Sequence, residues 1–226
     1  MKETELGQVA VEYFSEHPSF DVYQEVPLMG GYVDIVVKID RFYHCIECKT
    51  SLSLEVISQA LERKPYCHYV SVFIPSSRGS GGRYLAMNLL KQYGIGCYEY
   101  NPKHNTVIET LPPKINRRVI DRHLKSTIRE EHKTYAQAGS RNVRRYTSFR
   151  ATVDELVRYV KANPGQPFNV VLGAIKTHYK TMSTARSCLL NYIKTGVIPE
   201  VRIELGDYGK ILLFPSDGVD SPDISV

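Results

Sequence analysis

The sequence predicts an α/β domain followed by a smaller, mainly helical domain. In the first half, apolar runs of strand length alternate with amphipathic helical stretches, whereas the last third holds amphipathic stretches and then two short strand-like runs. The 226 residues exceed the usual size of one domain, and the pattern changes near Pro112–Pro113. We expect an α/β domain over residues 1–112, a basic connector over 113–150, a second domain over 151–216 and a disordered tail over 217–226.

The α/β domain opens with a predicted helix and continues into two strands. The strands are GGYVDIVVKID, which begins at Gly30, and YHCIECKT, which begins at Tyr43. Each is mostly apolar around a polar residue. The short polar loop between them, Lys38 to Phe42, is typical of a hairpin that returns the chain beside its own start.

Two acids and a lysine in these strands predict a metal-dependent hydrolytic site. Asp34 lies among β-branched residues, where burying a lone carboxylate is costly unless it meets a cation. Glu47 and Lys49 are two residues apart, so a pleated strand points both to one face. We expect Asp34, Glu47 and the backbone carbonyl of Cys48 to hold Mg²⁺, with Lys49 over the attacking water. The alternative is a solvated strand face with one surface ion pair.

In order and spacing, these residues resemble the PD-(D/E)XK nuclease superfamily, over roughly residues 1–110. Asp34 matches the first acid of that family, and Glu47 with Lys49 match its (D/E)XK element. Val33 stands where the family motif has proline. The resemblance implies a restriction-endonuclease-like αβββαβ core, Mg²⁺ or Mn²⁺ as the cofactor, and DNA as the substrate.

The resemblance also implies two helical contributions to the site. The family often adds a glutamate from its first helix, for which Glu5 is preferred here and Glu12, on the same helical face, is the alternative. Glu5 also suits the positive end of the helix dipole without any role in the site. In the second helix, SLSLEVISQALERK, Gln59 is the candidate to hold the site or the DNA backbone, unless it is a surface amide. The residues predicted to face the core there are Leu54, Ile57, Ala60 and Leu61.

The remainder of the α/β domain is predicted as the strand YVSVFIP, a loop from Ser76 to Gly82, the helix RYLAMNLLKQYG and the strand IGCYEY. The loop glycines permit close backbone approach to a ligand, so Arg78 and Arg83 are expected to touch the DNA backbone. The chain has no G-x-x-x-x-G-K element, and we expect no nucleotide cofactor.

The connector concentrates positive charge, because residues 114–150 hold 11 basic and 3 acidic side chains. Its first part predicts a helix with an apolar stripe at Ile115, Val119, Ile120, Leu124 and Ile128. Its second part predicts an extended segment in which arginines alternate with aromatic residues, which suits phosphate contact and base stacking. The arginines are Arg141, Arg144, Arg145 and Arg150. The alternative is a solvated linker.

The second domain predicts three helices and a hairpin. The first begins at a Thr152 cap, the second covers FNVVLGAIKTHYK, and the third begins at a Ser183 cap. A hairpin turns at Gly206–Gly209. The arrangement resembles a winged helix-turn-helix, which implies DNA contacts in the third helix and in the wing, or alternatively a protein-docking module. The implied contacts are Arg186, Asn191, Lys194, Arg202 and Lys210.

Five cysteines do not form an even disulfide set, and no signal peptide or membrane-spanning run is present. We therefore expect a reduced, cytoplasmic protein without a zinc site or a membrane partner. The favoured function is a Mg²⁺-dependent DNA endonuclease, with a homodimer or a nuclease or transposition complex as the expected assembly. The alternatives are a catalytically silent DNA-binding or assembly factor, and a transposase-type nuclease subunit that is active only in a complex.

Overall fold

The computed structural model describes residues 1–77, 81–140 and 145–216 and forms two compact units, Met1–Tyr146 and Thr147–Val226. Residues 113–140, 145 and 146, which we expected in a separate connector, therefore belong to the first unit. Arg78, Arg141, Arg144 and the tail 217–226 lie outside the described residues.

The first unit is an α/β fold built on a mixed six-stranded sheet, in the order β1-β2-β3-β4-β5-β6. The first three strands pair antiparallel, β4 is parallel to both β3 and β5, and β6 pairs antiparallel with β5. The strands are β1 (Phe20–Leu28), β2 (Gly31–Ile39), β3 (Phe42–Cys48), β4 (Tyr69–Pro75), β5 (Gly96–Asn101) and β6 (Thr106–Leu111). The predicted hairpin between β2 and β3 is confirmed. Asp40 in its turn has a φ of 54°, the left-handed conformation that tight hairpin turns use.

Helices cover both faces of this sheet, which explains why its central strands are apolar on both sides. Helix α1 (Glu3–Ser15) packs on one face, and α2 (Leu54–Arg63) and α3 (Gly81–Tyr93) pack on the other. Successive side chains of β3 point to opposite faces of the sheet, since Cys45 packs with α2 and Ile46 packs with α1. One expectation for α2 is wrong, because Leu54 is the first residue of the helix and is 68% exposed.

The long helix expected in the connector is not formed. Among the described residues of 113–146, the helical elements are α4 (Arg122–Thr127) and a 3-10 turn at Glu130–Lys133. Before them, the backbone N–H groups of Lys114, Asn116 and Ile120 donate to carbonyls of the core at 2.7–3.0 Å. Because these N–H groups donate to the core rather than to carbonyls four residues earlier in the chain, no helix forms around them.

The following segment, residues 129–140 and 145–146, is called the strap. It lies along β1, which is one edge of the sheet. The Gln24 amide donates to the Lys133 carbonyl at 2.8 Å, and the Lys133 ammonium pairs with Asp21 at 2.8 Å. The strap therefore covers a sheet edge that would otherwise be open to pairing with another chain.

The second unit contains three helices and a three-stranded antiparallel sheet in the order β7-β9-β8. Its elements are α5 (Ser148–Ala162), β7 (Gln166–Pro167), α6 (Phe168–Ala174), α7 (Met182–Lys194), β8 (Val201–Leu205) and β9 (Ile211–Pro215). The predicted terminal hairpin is confirmed. Two predicted caps are wrong, since Thr147 caps α5 and Thr181 caps α7. The Thr152 hydroxyl instead bonds to the Ser148 carbonyl inside α5.

The cysteines depart from the expectation of a fully reduced protein. Cys45 and Cys67 form a disulfide, with Cα atoms 6.1 Å apart. Cys48 and Cys97 are free and buried, and Cys188 is free and half-buried. Within the described residues, no helix combines the length and the apolar character needed to cross a membrane.

Candidate active site

The structure brings the two predicted acids together. Ile35 pairs with Ile46 in the β2–β3 register, so Asp34 and Glu47 lie opposite each other at the next position. Asp34 Oδ2 accepts a hydrogen bond from the backbone N–H of Cys48 at 2.7 Å. The hairpin therefore places two carboxyl groups side by side at the end of β3, with Lys49 as the next residue after the strand.

Glu47 is 3% exposed and owes its position to an arginine that the sequence analysis did not single out. Its Oε1 accepts from Arg63 Nε at 2.8 Å, and a second guanidinium nitrogen of Arg63 donates to the Tyr32 carbonyl at 3.0 Å. Arg63 follows Ala60 by three residues and so continues the buried face of α2. A charged residue on an apolar helical stripe was the available sequence signal.

Burial places both carboxyl groups under electrostatic strain. It raises the pKa of Asp34 well above its usual range, and the neighbouring Glu47 adds to the effect, while the Cys48 N–H opposes it. Burial also raises the pKa of Glu47, against the opposing hydrogen bond from Arg63. Positive charge near a carboxyl group opposes this effect of burial, as Arg63 does for Glu47.

Lys49 meets an acid of the first helix, although not the predicted one. Its Nζ lies 3.2 Å from Glu3 Oε1. Glu5 is exposed, and its carboxylate accepts the Lys2 backbone N–H at 2.9 Å at the start of α1. Glu12 is also exposed and bonds to Gln8. Glu5 lies two residues after Glu3, about 200° around the helix, so the two side chains leave it on different sides.

Gln59 lies one helical turn before Arg63. Its Oε1 is buried and has no hydrogen-bond partner among the described residues. Buried acceptors are seldom left unpaired, so this atom is suited to a donor from a ligand or a bound water. The assignment of Gln59 to the site stays a prediction.

The donor set fits Mg²⁺. Within the described part of the chain, no group of at least three His, Cys, Asp or Glu side chains is arranged to hold a metal. Mg²⁺ requires less, because it commonly takes one or two carboxylates and fills its remaining positions with water and substrate phosphate. Asp34 and Glu47 supply those carboxylates, and a cation between them would lower the pKa that burial has raised. The Cys48 carbonyl as a further ligand stays a prediction.

A third acid, Glu25, occupies the same row of the sheet and was missed. The pairs Gln24–Ile35 and Val26–Val33 flank it, which places Glu25 opposite Asp34. It is 1% exposed. In the sequence, the adjacent polar residues Gln24 and Glu25 interrupt the otherwise strand-like run of β1, and this interruption could have identified Glu25.

Several arginines predicted to contact DNA are engaged within the protein instead. Arg145 Nε donates to Glu25 at 2.7 Å, and the Arg145 guanidinium lies over the Tyr32 ring at 4.3 Å. Arg83 pairs with Glu99. These arginines form ion pairs with buried or half-buried carboxylates. Local sequence pattern does not reveal such contacts.

In the second unit, the predicted contacts divide into two groups. Arg186 donates to Asn169 and packs over Phe168, and Arg202 pairs with Glu204. Arg202, Asn191, Lys194 and Lys210 are exposed, whereas Arg186 is half-buried. Four of the five predicted contacts are therefore on the surface of this unit.

A pocket of about 360 Å³ opens beside Lys49. It is lined by Lys2, Glu3, Thr4, Thr50 and Gly139, and so lies between the start of α1, the residue after Lys49 and the strap. Lys49 itself is not among the lining residues.

No protein-family model, curated protein or solved structure matches the chain. The functional assignment therefore depends on the geometry of Asp34, Glu47 and Lys49.

Proposed function

We propose that this protein is a metal-dependent DNA endonuclease of the PD-(D/E)XK type. The observation that carries the proposal is the placement of Asp34 opposite Glu47 across a hairpin, with Lys49 immediately after. Two further contacts fix these side chains, since Arg63 pairs with Glu47 and Glu3 pairs with Lys49. A surface ion pair would not require a buried Glu47 beside a half-buried Asp34.

Asp34 and Glu47, with the Cys48 carbonyl, would hold Mg²⁺ or Mn²⁺. When bound, the ion would act as a Lewis acid towards the attacking water and neutralise charge on the scissile phosphate. Lys49 would donate to that water or to the phosphate oxygens, which stabilises charge that develops during hydrolysis. Glu3 orients the Lys49 ammonium, and Arg63 fixes the Glu47 carboxylate.

The second unit supports DNA as the substrate. Its element order, α5-β7-α6-α7-β8-β9, and its strand order, β7-β9-β8, are typical of a winged helix. Such domains place the third helix in the major groove and the wing against phosphates. We assign DNA contacts to Asn191 and Lys194 of α7 and to Lys210 of the β8–β9 turn, which are exposed. Cutting both strands would require a second copy or a partner nuclease.

One observation favours a second candidate, a catalytically silent DNA-binding or assembly factor. Glu47 and Lys49 each already have a partner within the protein, Arg63 and Glu3 respectively. In a silent protein, these ion pairs would stabilise the fold and have no other role.

The deciding experiment incubates the full chain with plasmid, linear duplex, branched and single-stranded DNA in Mg²⁺ or Mn²⁺, with EDTA as the metal-free control. Asp34→Ala and Lys49→Ala are the test variants. Asp40→Ala is the matched control, because Asp40 is an exposed acid in the turn between the same two strands.

We expect metal-dependent cutting that both test variants abolish and Asp40→Ala retains, with DNA binding preserved in EDTA. Cutting that survives in Asp34→Ala would contradict the assigned site. If the wild type binds DNA but cuts none of the substrates, the silent factor or a nuclease that depends on a partner is the better description.

A further inference from the structure

Glu25 departs from the geometry of an ordinary strand residue. Successive side chains of a strand point to opposite faces, yet Gln24 and Glu25 both bond to the strap. The φ of Glu25 is 49°, a left-handed conformation that is uncommon outside glycine. This local twist turns the Glu25 carboxylate towards the strap, and the contacts described next hold it there.

Hydrogen-bond donors from the strap occupy both oxygens of that carboxylate. Oε1 accepts the backbone N–H groups of Gly139 and Ser140 at 3.0 and 3.3 Å, and Oε2 accepts Arg145 Nε at 2.7 Å. Arg145 also donates to the Ser140 carbonyl at 2.9 Å. Although Glu25 lies in the same row as Asp34 and Glu47, its oxygens are directed to the strap, which suits an anchor better than a metal ligand.

The anchored strap packs directly on the start of α1. A Cβ added to Gly139 would lie 2.8 Å from the Glu3 carbonyl oxygen, and one added to Gly7 would lie 2.4 Å from the Ala138 carbonyl oxygen. The Gln137 amide donates to the Thr4 carbonyl at 3.2 Å. The two backbones are thus in contact at the residue whose side chain meets Lys49.

We propose that Glu25 and Arg145 are positioning residues of the active site. They lock the strap against the first turn of α1, and that turn holds Glu3 at Lys49. The inference rests on the proposed function, since Lys49 is the group being positioned. It also assigns a role to the strap, which positions the first turn of α1 at the site.

The test uses the full chain and three variants, Glu25→Gln, Arg145→Met and Arg145→Lys. Lys133→Met is the matched control, because Lys133 joins the same strap to β1 through the partly exposed Asp21, away from Glu25. We expect kcat for DNA cleavage to fall about 10- to 100-fold in Glu25→Gln and Arg145→Met with little change in KM, since small misplacements of a reacting group have effects of that size. Arg145→Lys should recover part of the loss. Equal losses in Lys133→Met would overturn the proposal.

A second measurement does not depend on cleavage. The rate of acetylation of Lys49, followed by mass spectrometry without metal, should rise several-fold in Glu25→Gln and Arg145→Met and stay unchanged in Lys133→Met. Urea unfolding shows which variants are still folded. If Glu25→Gln is unfolded, the comparison uses Arg145→Met alone. If the wild type cuts but Lys49 reactivity does not respond, the positioning role is wrong. If Lys49 responds but the wild type cuts no DNA, the positioning role stands and the nuclease proposal fails.

Discussion

Arg63 offsets the free-energy cost of burying the Glu47 carboxylate. Its guanidinium reaches the carboxylate and a backbone carbonyl at once, so both charged groups keep hydrogen bonds inside the protein. A buried ion pair contributes little net stability, but removing one partner leaves an uncompensated charge. The importance of Arg63 is therefore best measured by its removal.

We expect Arg63→Met to lower the free energy of unfolding by about 3 kcal/mol in metal-free buffer. The double variant Glu47→Gln/Arg63→Met should lose less than the sum of the two single variants, because neither charge then remains. Urea unfolding of all four proteins measures the coupling. Additive losses would show that the two side chains do not form the pair described.

His44 predicts a pH dependence of stability. Burial lowers the pKa of His44 from 6.5 to about 3, and its imidazole bonds to the Ser71 hydroxyl at 2.8 Å. As the pH falls below 6.5, the unfolded chain gains a proton there and the folded chain does not until about pH 3. Folding should therefore lose up to about 1.4 kcal/mol per pH unit in this window through His44 alone.

The matched variant is His44→Gln, which keeps a hydrogen-bonding side chain but does not titrate. Urea unfolding of both proteins from neutral pH down to about pH 4 should show the wild type losing stability more steeply. Parallel pH profiles would mean that His44 is protonated in the folded protein.

At the scale of elements, the contact between α1 and the strap leaves no room for a side chain at Gly7. Replacing an interior helical glycine with alanine normally stabilises a helix by about 1 kcal/mol. Here the added Cβ would lie 2.4 Å from a backbone oxygen of Ala138, which is not a flexible side-chain end that can move aside. The clash should outweigh the gain in helix propensity.

We therefore expect Gly7→Ala to lower the midpoint of thermal unfolding by several degrees. Gly173→Ala in α6 is the control, since no atom lies within 4 Å of an added Cβ there and its effect should be neutral or stabilising. Circular dichroism during heating measures both. A stabilised Gly7→Ala protein would show that the strap does not contact α1 as described.

At the scale of the whole molecule, the unit that contains the candidate site extends to Tyr146. Leu124 of α4 is fully buried in the cluster beneath α2, and Ala138 of the strap is fully buried in the cluster beneath α1. A fragment that ends at residue 112 would lose both side chains and leave Gln24 and Glu25 without their strap partners.

We expect a fragment of residues 1–146 to unfold cooperatively and to give a dispersed NMR spectrum. A fragment of residues 1–112 should give neither, because unpaired buried polar groups are added to the loss of apolar contacts. Cooperative unfolding of the shorter fragment would show that the strap is an accessory to the fold.

The local features of this protein follow from the pattern of its amino acids alone. Alternating apolar runs and a short polar loop predicted the β2–β3 hairpin, and that hairpin alone places Asp34 opposite Glu47 with Lys49 next to them. The order of helices and hairpin in the second unit was likewise readable from its periodicity. These features depend on residues close together in the chain, whose pattern reflects their own secondary structure.

Which charged side chains meet depends instead on contacts between distant parts of the chain. Lys49 pairs with Glu3 across 46 residues, and Glu25 pairs with Arg145 across 120, so neither contact leaves a local pattern. Glu5 was preferred over Glu12, whereas Glu3 is the acid of α1 that contacts Lys49, because the packing of α1 on the sheet selects the helical face. The connector was predicted as a basic helix followed by an extended segment that contacts nucleic acid, whereas the strap bonds to Gln24 of β1 and to buried Glu25. Long-range packing assigns partners that composition and spacing leave open.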